Sequence, residues 1–339
     1  MIFIENEDNN NPKQNLALEE YVLRNFNPGK DYLLFYINEP SIIIGRNQST
    51  LEEINQDYIT KNNIHVVRRI TGGGAVYHDL GNLNFSFITD HDLKSINNFE
   101  KFTAPVIAVL KKLGIEAKLT GRNDIQVNER KISGTAQFTT GRRMVSHGTL
   151  LLSTDLNEVA NALNVKMSKI QSKGHKSVRS RVANICDYLK NPMPIKEFRQ
   201  FLLEGLYASG EPFERYHLTN EEWQGVKKLM DEKYDTWEWN YGKSPKFNIQ
   251  RTKRFPIGEI DLRLFVEKGH ISEMKIFGDL FGKEPVAEIE NLLTNARYDK
   301  NTITHLLREI QLKEYFGEID KQEFTDLIYG DDDAENTMN

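Results

Sequence analysis

Residues Val66 to Phe87 read VVRRITGGGAVYHDLGNLNFSF, and the rest of the chain is organised around them. A short apolar strand signal delivers two arginines, Arg68 and Arg69, to three consecutive glycines, Gly72, Gly73 and Gly74. A second alternating segment, Ala75-Val76-Tyr77, follows. Ordering three glycines is costly in conformational entropy, which a chain tolerates where its backbone must come very close to something. Bare N–H groups beside guanidinium groups favour an anion. GGG alone fits an ordinary turn between strands. The arginines before it, with Tyr77-His78-Asp79, Asn82 and Asn84 after it, concentrate polar groups beyond what a turn needs, so the stretch is read as a ligand loop.

The twenty residues from Arg68 to Phe87 also resemble, without a gap, the signature of lipoate–protein ligases, RR-x-x-GGG-AV-[FY]-HD-x-GN. Supporting segments come in the expected order: NLALEE at 15–20, IIIGRNQ at 42–48, GRNDI at 121–125, KISGTAQ at 131–137 and SVRSRVANI at 177–185. The resemblance covers most of the chain. It departs at Ile70 and Thr71, where other members carry small polar residues; Thr71 keeps a hydroxyl, and Ile70 is expected to point away from the pocket.

Composition agrees with a soluble globular protein: 339 residues, 39% hydrophobic, 27% charged, formal net charge −5. That balance does not mark a nucleic-acid binder. One cysteine, Cys186, excludes an internal disulfide and suits a reducing cytosol. The start, MIFIENEDNNNPKQ, lacks the pattern of a secretory signal, and no run approaches the ~18 apolar residues of a membrane span. A cytoplasmic protein is expected, and a monomer.

In chain order, Met1–Ile4 is expected as an edge strand and Asn15 onward as an amphipathic helix, with Glu19 inside its apolar arc. Leu33–Ile37 and Ile42–Ile44 read as strands joined by a turn at Asn38-Glu39-Pro40. Thr50-x-x-Glu53 reads as a capping box opening one helix to Asn62. Strands at 64–69 and 84–89 flank the glycine loop. A helix is expected over 98–113, then strands at 117–120, 125–127, 131–138 and 144–152, with a hairpin turn at Asn128-Glu129. Helices at 194–207 and 219–234 follow. Beyond WEWNYGKSP (237–245), three strands (246–254, 259–266, 270–277) and helices at 284–293, 301–310 and 321–329 form a small unit, whose IFGDLFG at 276–282 resembles the accessory C-terminal domain of bacterial lipoate ligases.

The expected fold class is therefore α+β: a large domain (1–244) with a mixed or antiparallel sheet flanked by helices, a small α+β accessory domain (245–331), and an acidic tail (332–339). The resemblance relates the large domain to biotin ligases and class II aminoacyl-tRNA synthetases.

The resemblance implies an ATP-dependent, adenylate-forming reaction with ATP and Mg2+. Lipoate is activated to lipoyl-AMP, then passed to a lysine of acceptor proteins, the glycine-cleavage H protein and the E2 subunits of 2-oxoacid dehydrogenases. By the same carry-over Lys131 is catalytic, meeting both the lipoate carboxylate and the α-phosphate. Arg69, Gly74, Ala75, Val76, Tyr77, Asp124, Ser177 and Arg179 join it at ATP, with Asp124 a candidate magnesium ligand. Glu19, Tyr36, Arg69, Thr71, Gly72, Gly73, Gly74, Asn84, Lys131, His147 and Gly148 are implied at lipoate. The basic segment 166–181 is expected to be a mobile loop closing over the nucleotide.

Two other readings compete. An ATP-independent octanoyl or lipoyl transferase would need an acyl thioester on cysteine, and Cys186 sits between apolar neighbours in VANICDYL. A non-catalytic relative is opposed by an intact Lys131 and GGG. The GRGRxG loop of biotin ligases is absent.

Overall fold

The computed structural model describes all residues except 93, 94, 96, 164–180, 208–212, 242–248, 281 and 331–339, and side chains at the remaining positions except 51, 52, 56 and 57. The expected closing loop up to position 180, the acidic tail, and residues 242–248, which hold the end of the expected boundary segment and the start of the strand expected at 246–254, thus lie outside the described residues. The chain divides into two units: one of Met1–Ile44, Thr50–Ile70 and Ala75–Asn240, the other of Gly45–Ser49, Thr71–Gly74 and Tyr241–Asn339.

The first unit begins with strands β1 (Ile2–Ile4), β2 (Tyr32–Ile37), β3 (Ser41–Ile44), β4 (His65–Arg68), β5 (Val76–His78) and β6 (Asn82–Asp90). It continues with β7 (Lys118–Thr120), β8 (Asp124–Val127), β9 (Arg130–Thr139), β10 (Arg143–Leu151) and β11 (Glu214–Tyr216). Eight of them form a sheet in the order β11-β1-β2-β6-β10-β9-β8-β7, and the other three form a second sheet, β4-β3-β5. Only β1 pairs in parallel in the large sheet, with β2 and β11, and the remaining pairings are antiparallel.

Alternation along the strands divides the apolar side chains between two faces. Leu33 and Phe35 of β2, Leu83, Phe85 and Phe87 of β6, and Met144 and Leu150 of β10 pack against the helices Phe99–Lys112 and Ile195–Leu206. Leu34, Tyr36, Ile88 and Val145 point the other way, to the helix Pro12–Asn25 and to Val226 and Tyr234. On that second face the alternation also places Asn84, Ser86 and His147, which are polar and buried. A sheet face that is apolar at its ends and polar in its middle is built to hold something polar there.

Local chemistry explains the well-predicted elements. Asn98 caps the Phe99–Lys112 helix by accepting from the Lys101 N–H at 3.1 Å. The β8–β9 hairpin turns on Asn128 and Glu129, both at positive φ (48° and 63°), as the two central residues of a type I′ turn must be. The Thr219/Glu222 capping box is present.

Several expectations need correction. β1 is not an edge strand, because the three-residue β11 covers it. β2 and β3, though separated only by residues 38–40, enter different sheets. Thr50 does not open one long helix: helices Thr50–Glu53 and Gln56–Asn62 are separate, Asn55 caps the second, and the Thr50 hydroxyl donates to the Asn240 carbonyl at 2.5 Å.

In the second unit β12 (Ile249–Phe255), β13 (Gly258–Glu267) and β14 (His270–Gly278) form an antiparallel sheet in that order. Its apolar face packs on helices Ala287–Leu293, Lys300–Leu307 and Lys321–Tyr329. A short helix, Leu312–Phe316, was not expected from the sequence.

Candidate active site

Lys131 reaches its place through a β-bulge. Along β8–β9, Gln126 pairs with Lys131 and Ile125 with Ser133, so Ile132 is the extra residue, and it is buried in the core. Without the insertion Lys131 and Gly134 would fall on opposite faces; a bulge re-aims a side chain in this way. Lys131 Nζ lies 2.8 Å from Asp124 Oδ1 and 2.8 Å from the point that a Cβ on Gly134 would occupy. A side chain at position 134 would take the lysine's space, and this accounts for the glycine in KISG. Both partners of the ion pair are about one-third exposed, at 34% and 27%. The pair is therefore open to a ligand.

Two steps further along β9, Ala136 stands opposite His147 of β10. Gly134 and Ala136 share a face, so the lysine and the histidine look out from one side of the sheet, separated by about 7 Å for each two strand residues. There His147 Nδ1 donates to Glu19, with both carboxylate oxygens at 2.9 Å, and Tyr36 OH donates to the same carboxylate at 3.4 Å. This explains a glutamate on the apolar stripe of its helix: at 1% exposure, a carboxylate without partners is costly to bury. The neighbouring Glu19 charge raises the Tyr36 phenol further above its ordinary range, where burial has already put it. Asn84 donates to the Tyr36 carbonyl at 3.1 Å and accepts from Asn82, so it braces β6 against β2. Gly148 is turned to the other face, where Phe85 and Thr135 fill the space of a side chain. It packs the sheet, and His147 alone of that pair looks toward Glu19.

The two arginines of the motif have different surroundings. Arg68 is clamped: Nε donates to the Trp239 carbonyl at 2.9 Å, Nη2 to Thr50 Oγ1 at 2.6 Å, and its own carbonyl accepts from Trp239 Nε1 at 2.7 Å. Arg69 donates Nη1 to the Ile43 carbonyl at 3.0 Å and lies in the field of Glu19 and Tyr36. Burial pulls both guanidiniums down to about 10, so both stay cationic at neutral pH. Ile70 is buried in the apolar cluster with Leu18 and Tyr36.

β5 presents Tyr77 and His78 to opposite sides. The Tyr77 phenol is raised by burial and by the acidic side chains of Asp79, Glu158 and Asp155. His78, absent from the expected site, is 4% exposed and is influenced by Arg69 and His147. Its Nε2 and the Ser86 hydroxyl are buried with no partner among the described residues. Ser86 stands opposite His147 in the β6–β10 register. The HD of the motif was the only sequence signal for His78, and nothing in the sequence distinguished Ser86.

The glycine loop itself belongs to the second unit. There Thr71 accepts from the Arg46 N–H at 2.9 Å, Gly73 adopts φ +90°, and its N–H donates to the Leu280 carbonyl at 3.3 Å. A Cβ on Gly45 would lie 1.9 Å from the Gly73 carbonyl oxygen, so IIIG and GGG interlock as bare backbones. Ser177 and Arg179 lie outside the described residues. Past the undescribed stretch, Ala183 donates its N–H to the Lys131 carbonyl at 2.9 Å.

Cys186 sits in the turn Ile185–Tyr188, its thiol pushed up by burial and by Asp187. A thiol held protonated is a poor acyl acceptor, which disfavours the transferase reading. No group of three or more metal-binding side chains occurs among the described residues, and none of their helices is long and apolar enough to cross a membrane.

Comparison with known proteins follows the same division. Residues 11–207 match the family model for the lipoyl protein ligase A/B catalytic domain, and residues 244–328 match that for the bacterial lipoate protein ligase C-terminus. The lipoate-protein ligase LplJ of Bacillus subtilis is 54% identical over 97% of this chain and 100% of its own length. The structure resembles Plasmodium falciparum LipL1 in complex with lipoate, with a TM-score of 0.78 and 26% identity over 97% of this chain and 98% of that one. It also resembles a lipoate-protein ligase A bound with ATP, with a TM-score of 0.60 and 35% identity over 68% and 94% of the two chains.

Proposed function

The chain belongs to the lipoate–protein ligase family, and we propose that the Lys131–Asp124 pair on β9 and β8 is the centre of its adenylation chemistry. The enzyme is an ATP-dependent ligase that activates lipoate and transfers the lipoyl group to acceptor domains. The observation that carries the site reading is the Lys131 ammonium, brought by a bulge to a half-open position over a glycine and beside one carboxylate.

In the first half-reaction a lipoate carboxylate oxygen attacks the α-phosphorus of ATP, the bond to the bridging oxygen breaks, and pyrophosphate leaves with its electron pair. Negative charge builds on the phosphorus oxygens, and Lys131 stabilises it electrostatically. In the second, the ε-amine of an acceptor lysine attacks the acyl carbon of lipoyl-AMP. AMP departs, and the proton lost by the amine leaves to solvent. Activation is needed because a carboxylate is a poor acyl donor at neutral pH.

Arg69, Ala75, Val76 and Tyr77 are read as holding the nucleotide. Glu19, Tyr36, Asn84 and His147 are read as forming the acyl site. Magnesium fits this donor set in the form it takes with nucleotides, held by one or two carboxylates together with phosphates, and Asp124 is the carboxylate available. Bound there it would neutralise phosphate charge. The accessory unit, residues 245–331, carries none of these reacting groups. The acceptors are read as the H protein and E2 lipoyl domains, and the enzyme as a cytoplasmic monomer.

The test is pyrophosphate release on mixing the protein with lipoate and ATP–magnesium, followed by the mass of an apo H protein or E2 lipoyl domain. Lipoate-dependent release and one lipoyl addition on the acceptor lysine are expected. Acyl transfer from an acylated donor domain without ATP would overturn the reading and return attention to Cys186.

A further inference from the structure

A chain of buried amides runs from the start of the molecule to His78. Its direction is set by backbone carbonyls, which can only accept. The Asn15 amide nitrogen faces the carbonyls of Asn9 at 2.9 Å and Ile37 at 3.5 Å, so that end of the side chain is the donor. The same nitrogen therefore donates to Asn38 Oδ1 at 2.9 Å, and the Asn15 oxygen accepts from Asn6 at 3.1 Å. With its oxygen committed to Asn15, Asn38 must turn its nitrogen to His78 Nδ1, 3.0 Å away. His78 Nδ1 is thus an acceptor, and the imidazole proton resides on Nε2.

That Nε2–H is the buried donor with no partner among the described residues, and its surroundings include the Arg69 charge. A fixed N–H donor in the field of a guanidinium suits an anionic oxygen. Lipoate offers one strong acceptor group, its carboxylate; its dithiolane sulfurs accept only weakly.

We propose that Asn38 is a positioning residue for acyl recognition: through the Asn6–Asn15–Asn38 relay it locks His78 in the Nε2–H tautomer, which presents one donor to a carboxyl oxygen of the acyl substrate. This rests on the ligase reading for the identity of the substrate. The relay's alternative is a histidine free to move its proton to Nδ1, which would face the substrate with a lone pair and repel the carboxylate. Asn38 thereby acts at a distance, through the proton's location.

The experiment uses the full-length protein labelled with nitrogen-15 at its histidines. His78 is assigned by the signals lost in His78→Gln, and its tautomer is read from two-bond nitrogen–proton couplings. The wild-type protein is expected to hold the proton on Nε2, and that proton is expected to move downfield on adding either lipoate or octanoate, which share the carboxylate. In Asn38→Asp the new carboxylate accepts from Nδ1–H, so the proton changes nitrogen and KM for lipoate rises about tenfold, the size of one lost hydrogen bond to a charged group, with kcat little changed. A purely structural role for Asn38 would leave KM for lipoate unchanged although the tautomer switches.

A wild-type proton on Nδ1 would overturn the proposal. So would an Nε2–H that ignores octanoate, indicating a water-satisfied donor or a sulfur acceptor, and so would an unchanged KM in a variant whose tautomer has switched. Should Asn38→Asp fail to fold, the wild-type tautomer and its response to octanoate decide alone. Absence of lipoate-dependent pyrophosphate release from the wild-type protein would remove the ligase reading, whereas the His78 spectra test the relay and its carboxylate contact separately.

Discussion

Lys131 Nζ stands 2.8 Å from the position that a Cβ on Gly134 would take. Because the obstruction is the far end of a flexible side chain and not backbone, Gly134→Ala is expected to fold and to melt close to wild type. Its methyl group would displace the ammonium from the phosphorus, and the adenylation rate should fall about 100-fold, the usual loss for one electrostatic stabiliser. Stopped-flow pyrophosphate detection beside a thermal melt checks this. A Gly134→Ala enzyme with wild-type rate would mean that the observed lysine position is not the working one.

Glu19 serves His147 and Tyr36 at once. Glu19→Ala leaves an imidazole N–H and a phenol buried beside an empty volume and should destabilise the protein by roughly 2–4 kcal/mol. Glu19→Gln, which keeps one acceptor oxygen, should cost less than half as much. Urea denaturation of the two variants compares them directly, and equal losses would argue that packing, not the hydrogen bonds, holds this corner.

How much of this was legible in the sequence differs from element to element. The Phe99–Lys112 helix and the Asn128-Glu129 hairpin were readable because apolar period and turn chemistry are local. Thr50 was misread because its hydroxyl serves Arg68 and Asn240, the latter 190 residues away, and no local pattern reports that. β1 was taken for an edge because Glu214–Tyr216 is too short and polar to announce a strand. In the site, Lys131 came from a motif match, while the bulge that aims it depends on pairing across β8. Asn15 and Asn38 read as a helix start and a turn, and only the packed structure joins them to His78.

The imidazole of His78 is lowered from 6.5 to about 3 by burial, helped by the Arg69 guanidinium and by the neighbouring His147. The sign follows from which state binds the proton. Below pH 6.5 the unfolded chain takes it up and the folded protein does not, so stability falls as pH drops from 6.5 toward about 3, at up to about 1.4 kcal/mol per pH unit from this residue. Urea midpoints between pH 6.5 and 4.5 should decline more gently in His78→Gln than in wild type. Parallel slopes would mean that His78 titrates normally.

The adjacent arginines should separate by phenotype. Arg68, held by Thr50 and by the Trp239 and Asn240 carbonyls, is structural, and Arg68→Met should cost about 2–4 kcal/mol of stability. Arg69→Met should lose substrate affinity, raising KM for ATP or lipoate at least tenfold. Melting curves and initial rates on both variants test the assignment, and an exchange of the two phenotypes would contradict it.

The central claim is that a lipoate carboxylate oxygen becomes bonded to the α-phosphorus of ATP. Lipoate carrying oxygen-18 in both carboxylate positions, turned over with an apo lipoyl domain, tests this most directly by mass spectrometry of the products. The account predicts one heavy oxygen in the AMP and one retained in the lipoyl-lysine amide. AMP free of the label, or an acceptor acylated without AMP, would contradict it.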